Sequence, residues 1–193
     1  MNKEQVAAFF DNMAFGWDVK CKHSVNKINA ILNHAGISRG CTVLDIACGT
    51  GVLFPFYLER GVSDIVGVDL STRMIAQAQA KFHDPRITLI VGDAEQVPLD
   101  MYDRCVLYSA LPHFEDPESL IRSLAVHLKP NGRLTVAHSE SKESINQRHE
   151  CMAGEVSVAL KPAFETARLF SPYMDIDVLV DNEEMYVISG LKK

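Results

Sequence analysis

The stretch Val43-Leu44-Asp45-Ile46-Ala47-Cys48-Gly49-Thr50-Gly51 constrains this chain more than any other. An apolar run that stops at a small-residue turn and continues into helix-like sequence reads as strand, turn and helix. A second apolar run, Ile65-Val66-Gly67-Val68, ends on Asp69. A strand, a glycine turn and an acid at the tip of the next strand make the crevice in which α/β proteins hold a nucleotide. Gly49 and Gly51 have no Cβ, so the backbone there can approach a ligand and take positive φ. Positions 49, 51 and 54 are Gly, Gly and Phe. The Gly-x-Gly-x-x-Gly pattern is therefore missing, which argues against a nicotinamide cofactor and the reductase that would use one.

Around this unit, strand-like and helix-like segments alternate, the pattern of an α/β fold with a mostly parallel sheet. Val6, Phe9, Phe10 and Met13, and then Val25, Ile28, Ile31, Leu32 and Ala35, recur at helical spacing. Gly36 stands where a helix would end. The pattern predicts strands over about 41–47, 64–69, 87–92, 103–109 and 133–138, with helices over about 51–60, 72–82 and 116–128 between them. Ser71 is a candidate N-cap, and Lys129-Pro130-Asn131-Gly132 is expected to break the last helix. Residues 141–170 read as largely helical. Ile176–Val180 and Met185–Ile188 read as a closing hairpin.

Four motifs in fixed order carry a family resemblance: Val43–Gly51, Gly67-Val68-Asp69-Leu70-Ser71, Gly92-Asp93-Ala94-Glu95 and Leu128-Lys129-Pro130-Asn131-Gly132. Over about residues 40–140 the sequence resembles the class I S-adenosylmethionine-dependent methyltransferases. Within them it is similar to the small-molecule branch that includes quinone-biosynthesis enzymes. Phe9–Ala14 and Trp17-Asp18 resemble that branch more weakly. The resemblance implies a doubly wound, Rossmann-like α/β domain with seven strands, the last antiparallel and inserted beside the fifth. One domain over 1–193 is expected, with a cap from 1–36 and 139–172 over the acceptor.

The resemblance also implies S-adenosylmethionine as cofactor. Ala47, Cys48, Gly49 and Gly51 would then cradle its methionine and ribose portion, and Asp45 would bind the methionine amino end, directly or through water. Asp69 is placed to accept from both ribose hydroxyls. Leu70 and Met74 would flank the adenine, Asp93 would read its amino group, and Ala94 would offer a backbone amide. Ala47 stands where the family usually has glycine, and it is small enough for strand–loop contact.

A sulfonium methyl is already activated, so transfer depends mainly on positioning, with a base needed where the acceptor enters protonated. Candidates belong on the loops after strands. Tyr108 and Ser109 end the fourth strand beside the expected methyl position, and both are expected at the cofactor. The segment is not Asn-Pro-Pro-Tyr, which counts against amide or base-amino acceptors. His138 ends the fifth strand. Ile145, His149 and Met152 share a helix face at spacings of four and three, which turns His149 inward. Catalytic roles are expected for His138, His149 and Tyr108. A hydrogen-bonded core histidine and a packing tyrosine are the other readings. His113 either lines the acceptor pocket or caps the next helix. Glu140 or Glu150 with the two imidazoles would offer zinc or iron a site, but no short ligand motif accompanies them, so no metal is expected.

Composition bounds the partners. In 193 residues, 47% apolar content supports one substantial core, and a formal charge of −6 gives nucleic acid and acidic membranes no attraction. No apolar run approaches the roughly 20 residues of a membrane span. Five cysteines, an odd number without CxxC pairs, fit a cytoplasmic protein. The expected partner is a small-molecule acceptor, and the sequence leaves its identity and the oligomeric state open. A non-catalytic S-adenosylmethionine-binding protein acting through a partner is the alternative function.

Overall fold

The computed structural model describes residues 2–193. Three helices, α1 (Lys3–Met13), α2 (Trp17–Lys20) and α3 (Val25–His34), precede β1 (Thr42–Ile46). Next come α4 (Phe54–Glu59), β2 (Asp64–Asp69), α5 (Thr72–Lys81), β3 (Ile87–Val91) and β4 (Tyr102–Tyr108). The chain continues through α6 (Pro117–Val126), β5 (Leu128–His138), α7 (Lys142–Met152), α8 (Ala163–Phe170), β6 (Met174–Asp181) and β7 (Tyr186–Lys192). Local chemistry sets several of these ends. Ser71 caps α5 by accepting the Met74 amide at 3.0 Å, and Asp116 caps α6 by accepting that of Ser119 at 3.0 Å. Gly36 follows α3 with φ +64°, the left-handed conformation that ends many helices.

The seven strands form one sheet in the order β3-β2-β1-β4-β5-β7-β6. β1 to β5 run parallel, and β7 lies antiparallel between β5 and β6. The order reverses between β1 and β4, the switch point where open α/β sheets bind ligands. Side chains alternate between faces along each strand. Leu44, Ile46, Cys105, Leu107, Leu134 and Val136 pack with residues of α6, α7 and α8. Val43, Val106, Tyr108 and Ala137 face the other way, onto α3, α4 and α5.

Two predicted bounds move. The fifth strand starts at Leu128, which pairs with Tyr102, because Lys129–Gly132 is accommodated within the strand as an irregularity, with Asn131 at φ +60°. The helix expected from residue 51 begins at Phe54, after the loop turns back on itself through the bonds Gly51 N–H to Cys48 O and Phe54 N–H to Gly51 O. No helix among the described residues is long and apolar enough to cross a membrane.

Candidate active site

A cavity of about 420 Å³ opens at the carboxyl ends of β1, β2 and β4, within the usual size range of small-molecule sites. Ala47, Cys48, Gly49 and Thr50 line it from the loop after β1, and Asp69, Leu70 and Met74 from the β2 tip and α5. Asp93 and Ala94 come from the loop after β3, and Tyr108, Ser109 and His113 from the segment after β4. Lys3, Val6, Phe10, Trp17 and His23 complete it from the N-terminal segment.

The floor is stitched by one carboxylate. Asp69 accepts the Gly49 amide on Oδ2 and the Ser71 amide on Oδ1, both at 2.8 Å. Burial raises the Asp69 pKa from its ordinary value, against the pull of these two amides. The two loop glycines differ in what they require. A Cβ on Gly49 would meet nothing within 4 Å, so the space over it is open to a ligand. A Cβ on Gly51 would lie 2.6 Å from Phe54 and 2.8 Å from Phe82, so that glycine serves packing and a turn at φ +83° and stands outside the cavity lining. Ala47 and Ser109 adopt φ +53° and +56°, a left-handed conformation costly for residues with a Cβ.

Asp45 also lies outside the lining, on the α3–α5 face of β1, with Oδ2 buried and unpartnered. Burial first, and the charge of Asp69 in addition, push its pKa up to about 8, although the nearby Tyr57 hydroxyl works in the opposite sense. Cys48 lines the cavity as a neutral thiol, its pKa raised by burial and then by Asp45 and Asp69.

The N-terminal segment roofs the cavity through polar anchors. Lys3 Nζ donates to Asp93 Oδ2 and Glu95 Oε2, each at 2.7 Å. Thr50 donates to Asp18 at 2.5 Å, and Lys81 donates to the same carboxylate at 2.7 Å. The Tyr108 hydroxyl donates to Ser139 Oγ at 2.8 Å and meets His23 Nδ1 at 2.8 Å.

The histidines divide by face. His138 continues the Leu134 and Val136 side of β5, so alternation sends its ring to the α6–α8 face against Tyr186, away from Tyr108. Burial, followed by the charges that His149 and His113 would carry, lowers its pKa to about 3. His149 packs at 5.0 Å on the ring of His113, and burial ahead of His113 lowers its pKa to about 4. Neither ring lines the cavity, whereas His113 and His23 do. Ile145 is buried as its helix face requires, but Met152, at the end of α7, is exposed. Of the two segments expected above the acceptor, 1–36 supplies lining residues. The 139–172 segment stands behind His113 and continues into α8, packed on the sheet. No cluster of three or more His, Cys, Asp or Glu among the described residues is arranged to hold a metal ion.

Residues 43–132 match the family described as a methyltransferase domain. The ubiquinone biosynthesis O-methyltransferase of Aliivibrio fischeri is 31% identical over 137 residues, 65% of this chain and 58% of that protein. The malonyl-[acyl-carrier protein] O-methyltransferase of Priestia megaterium is 26% identical over 156 residues, 78% of this chain and 57% of that protein. This chain thus spans less than two thirds of the length of these relatives. The magnesium protoporphyrin IX methyltransferase of Synechocystis, solved with S-adenosylhomocysteine bound, superposes with a TM-score of 0.75 at 18% identity, covering 99% of each chain. Residues 43–132 thus match a methyltransferase domain, and the chain is similar to the class I S-adenosylmethionine-dependent methyltransferases in sequence and fold.

The residues around the cavity suit S-adenosylmethionine. Gly49 leaves open space at the loop, the orphaned Asp45 oxygen is a buried acceptor, and each Asp69 oxygen keeps acceptor capacity beyond its one amide. Sequence reasoning passed over His23, which sits in a loop with no periodic context, and gave Thr50 no role. Asp11 and Asp18 fall inside the weakly matching segment Phe9–Asp18, and that match was the available signal for them.

Proposed function

We propose that this protein transfers the methyl group of S-adenosylmethionine to a small-molecule acceptor, within a single domain whose residues 1–36 roof the reaction. One observation carries the reading: a single cavity joins the Gly49–Asp69 loop and Asp93 to a wall of Tyr108, His113, Phe10 and Trp17. When bound, the cofactor supplies a methyl on an already activated sulfonium. Asp69 accepts the ribose hydroxyls, Leu70 and Met74 flank the adenine, and Asp93 exchanges its bond to Lys3 for the adenine amino group. Asp45, buried behind the loop and outside the lining, acts on the methionine amino end through water. Tyr108 keeps its proton, since burial raises its pKa, and with Ser109 it fixes the depth at which an acceptor stops. The net charge of −6 supports a small acceptor rather than a nucleic acid. All five cysteines are free, which supports a reducing, cytoplasmic setting.

Calorimetry with S-adenosylhomocysteine tests the reading. Micromolar binding, about −8 kcal/mol, is expected, and Asp69→Ala should weaken it by about 1–3 kcal/mol by removing the charged acceptor. No binding by the wild type, or equal binding by the variant at unchanged melting temperature, overturns the assignment.

A further inference from the structure

We propose that His113 takes the acceptor's proton and that the acceptor is an uncharged hydroxyl compound, a phenol in the first instance; this rests on the methyl-transfer reading above. His113 closes the tight turn Leu111–His113 directly after the β4 tip and lines the cavity with Tyr108 and Ser109. Its Nδ1 lies 2.7 Å from the Val156 carbonyl. A carbonyl only accepts, so Nδ1 carries the hydrogen and Nε2 holds the lone pair. The ring is held on two sides, edge-on to Phe10 at 4.8 Å and against His149 at 5.0 Å. The Val158 amide, bonded to the Pro112 carbonyl at 2.8 Å, ties the same turn to the segment that carries Val156.

His23 also lines the cavity, but it is held through the Tyr108 side chain, whose hydroxyl also bonds Ser139, whereas a backbone carbonyl orients His113. His138 and His149 stand outside the lining. Burial keeps His113 below the ordinary histidine value and hence neutral at physiological pH.

The charges around the cavity choose the acceptor. Among the described lining residues Lys3 is the one lysine or arginine, and Glu95 still holds it when Asp93 turns to the adenine. A carboxylate or phosphate on the acceptor would meet acidic walls with no free cation. Phe10, Trp17 and Phe114 offer flat apolar surface instead. In the step, the acceptor oxygen bonds the methyl carbon as the carbon–sulfur bond breaks, and that electron pair stays on sulfur as the thioether. The hydroxyl proton passes to Nε2 and is returned to water after product leaves.

A series of phenols tests this, running from unsubstituted phenol to nitrophenols acidic enough to arrive ionised, with His113→Asn and His113→Gln compared to wild type. Loss of kcat on phenol by about 10²–10⁴-fold is expected, shrinking toward none on the most acidic nitrophenol, with S-adenosylhomocysteine affinity unchanged. The carboxylated analogue 4-hydroxybenzoate should be methylated at least about tenfold less efficiently than phenol, as one lost favourable interaction of ordinary size implies. Nitrogen-15 NMR of the wild type should show His113 as the Nδ1–H tautomer, a reading that needs no variant to fold. Equal losses across the series, comparable use of 4-hydroxybenzoate, or an Nε2–H tautomer overturns the proposal. If S-adenosylhomocysteine binds and metabolite-extract components are methylated but no phenol is, this proposal falls while methyl transfer stands. If S-adenosylhomocysteine does not bind, the underlying reading falls with it.

Discussion

The Asp11 carboxylate of α1 accepts both the Ser71 hydroxyl, at 2.6 Å, and the Arg73 amide, at 2.9 Å, at the start of α5. One acid of the roof thereby clamps the helix that follows Asp69. These bonds hold the Asp11 pKa below its usual value despite some burial. Its contribution is therefore present above the ordinary carboxylate pKa and is lost as pH falls through the lower folded value. Asp11→Ala should cost about 1 kcal/mol, a charged hydrogen bond discounted for partial exposure. Hydrogen exchange at pH 7 should show α1 amides opening faster while β1 and β4 keep wild-type protection. Equal loosening of the sheet would count against a local clamp.

With Asp45 acting on the methionine amino end as proposed, cofactor affinity should depend on pH. The Asp45 pKa of about 8 leaves it mostly protonated at neutral pH, and a neighbouring ammonium favours the ionised form, so binding should expel a proton. S-adenosylhomocysteine affinity should then climb from pH 6.5 to 8, at most about tenfold per unit, and level off above that. Asp45→Asn should flatten the curve. A flat wild-type profile in calorimetry would remove Asp45 from the amino end.

His138 acts on stability in acid. It is buried and neutral with a folded pKa of about 3, so an unfolded chain, at an ordinary 6.5, binds the proton first. Stability is complete above 6.5 and declines as pH falls toward 3, by up to about 1.4 kcal/mol per unit. His149 adds to this sense, whereas Asp45 opposes it. The difference between wild type and His138→Leu isolates the histidine: urea titrations at pH 7 and 5 should show the wild type losing about 2 kcal/mol more than the variant. Parallel losses would mean that His138 ionises freely.

Ala47 holds a left-handed conformation at the tip of β1. Ala47→Gly should raise stability by about 1 kcal/mol, or about 2–4 °C in Tm for a chain of this size. Ala47→Val should lower it further than alanine does. Thermal denaturation decides, and a glycine variant that melts lower would show that the loop carries no strain there.

The strands at the site were legible because each is a short apolar run closed by a residue with a local reason to stop it: the small-residue turn after Ile46, Asp69 before the Ser71 cap, and Tyr108 before Ser109. The place of β7 between β5 and β6 came from family resemblance, since nothing in an apolar run names its neighbour. The His138 direction follows from strand alternation counted from Leu134 and Val136, since a position at a strand tip does not by itself decide which face a side chain takes. Met152 fitted the helical spacing of Ile145 but falls where α7 ends, beyond the layer that buries it. Contacts such as His23 with Tyr108, separated by 85 residues, leave no periodic trace. The Val156 carbonyl that orients His113 is backbone, and side-chain patterns say nothing of it.

Among the described residues, no backbone-to-backbone hydrogen bond joins residues 2–23 to the remainder of the chain; the anchors run through the side chains of Lys3, Asp11, Asp18 and His23. A strand added to a sheet must keep its register, but a covering attached in this way answers to no ladder. Substitutions within residues 2–23 that spare these four anchors therefore reshape the acceptor wall without unpairing any strand.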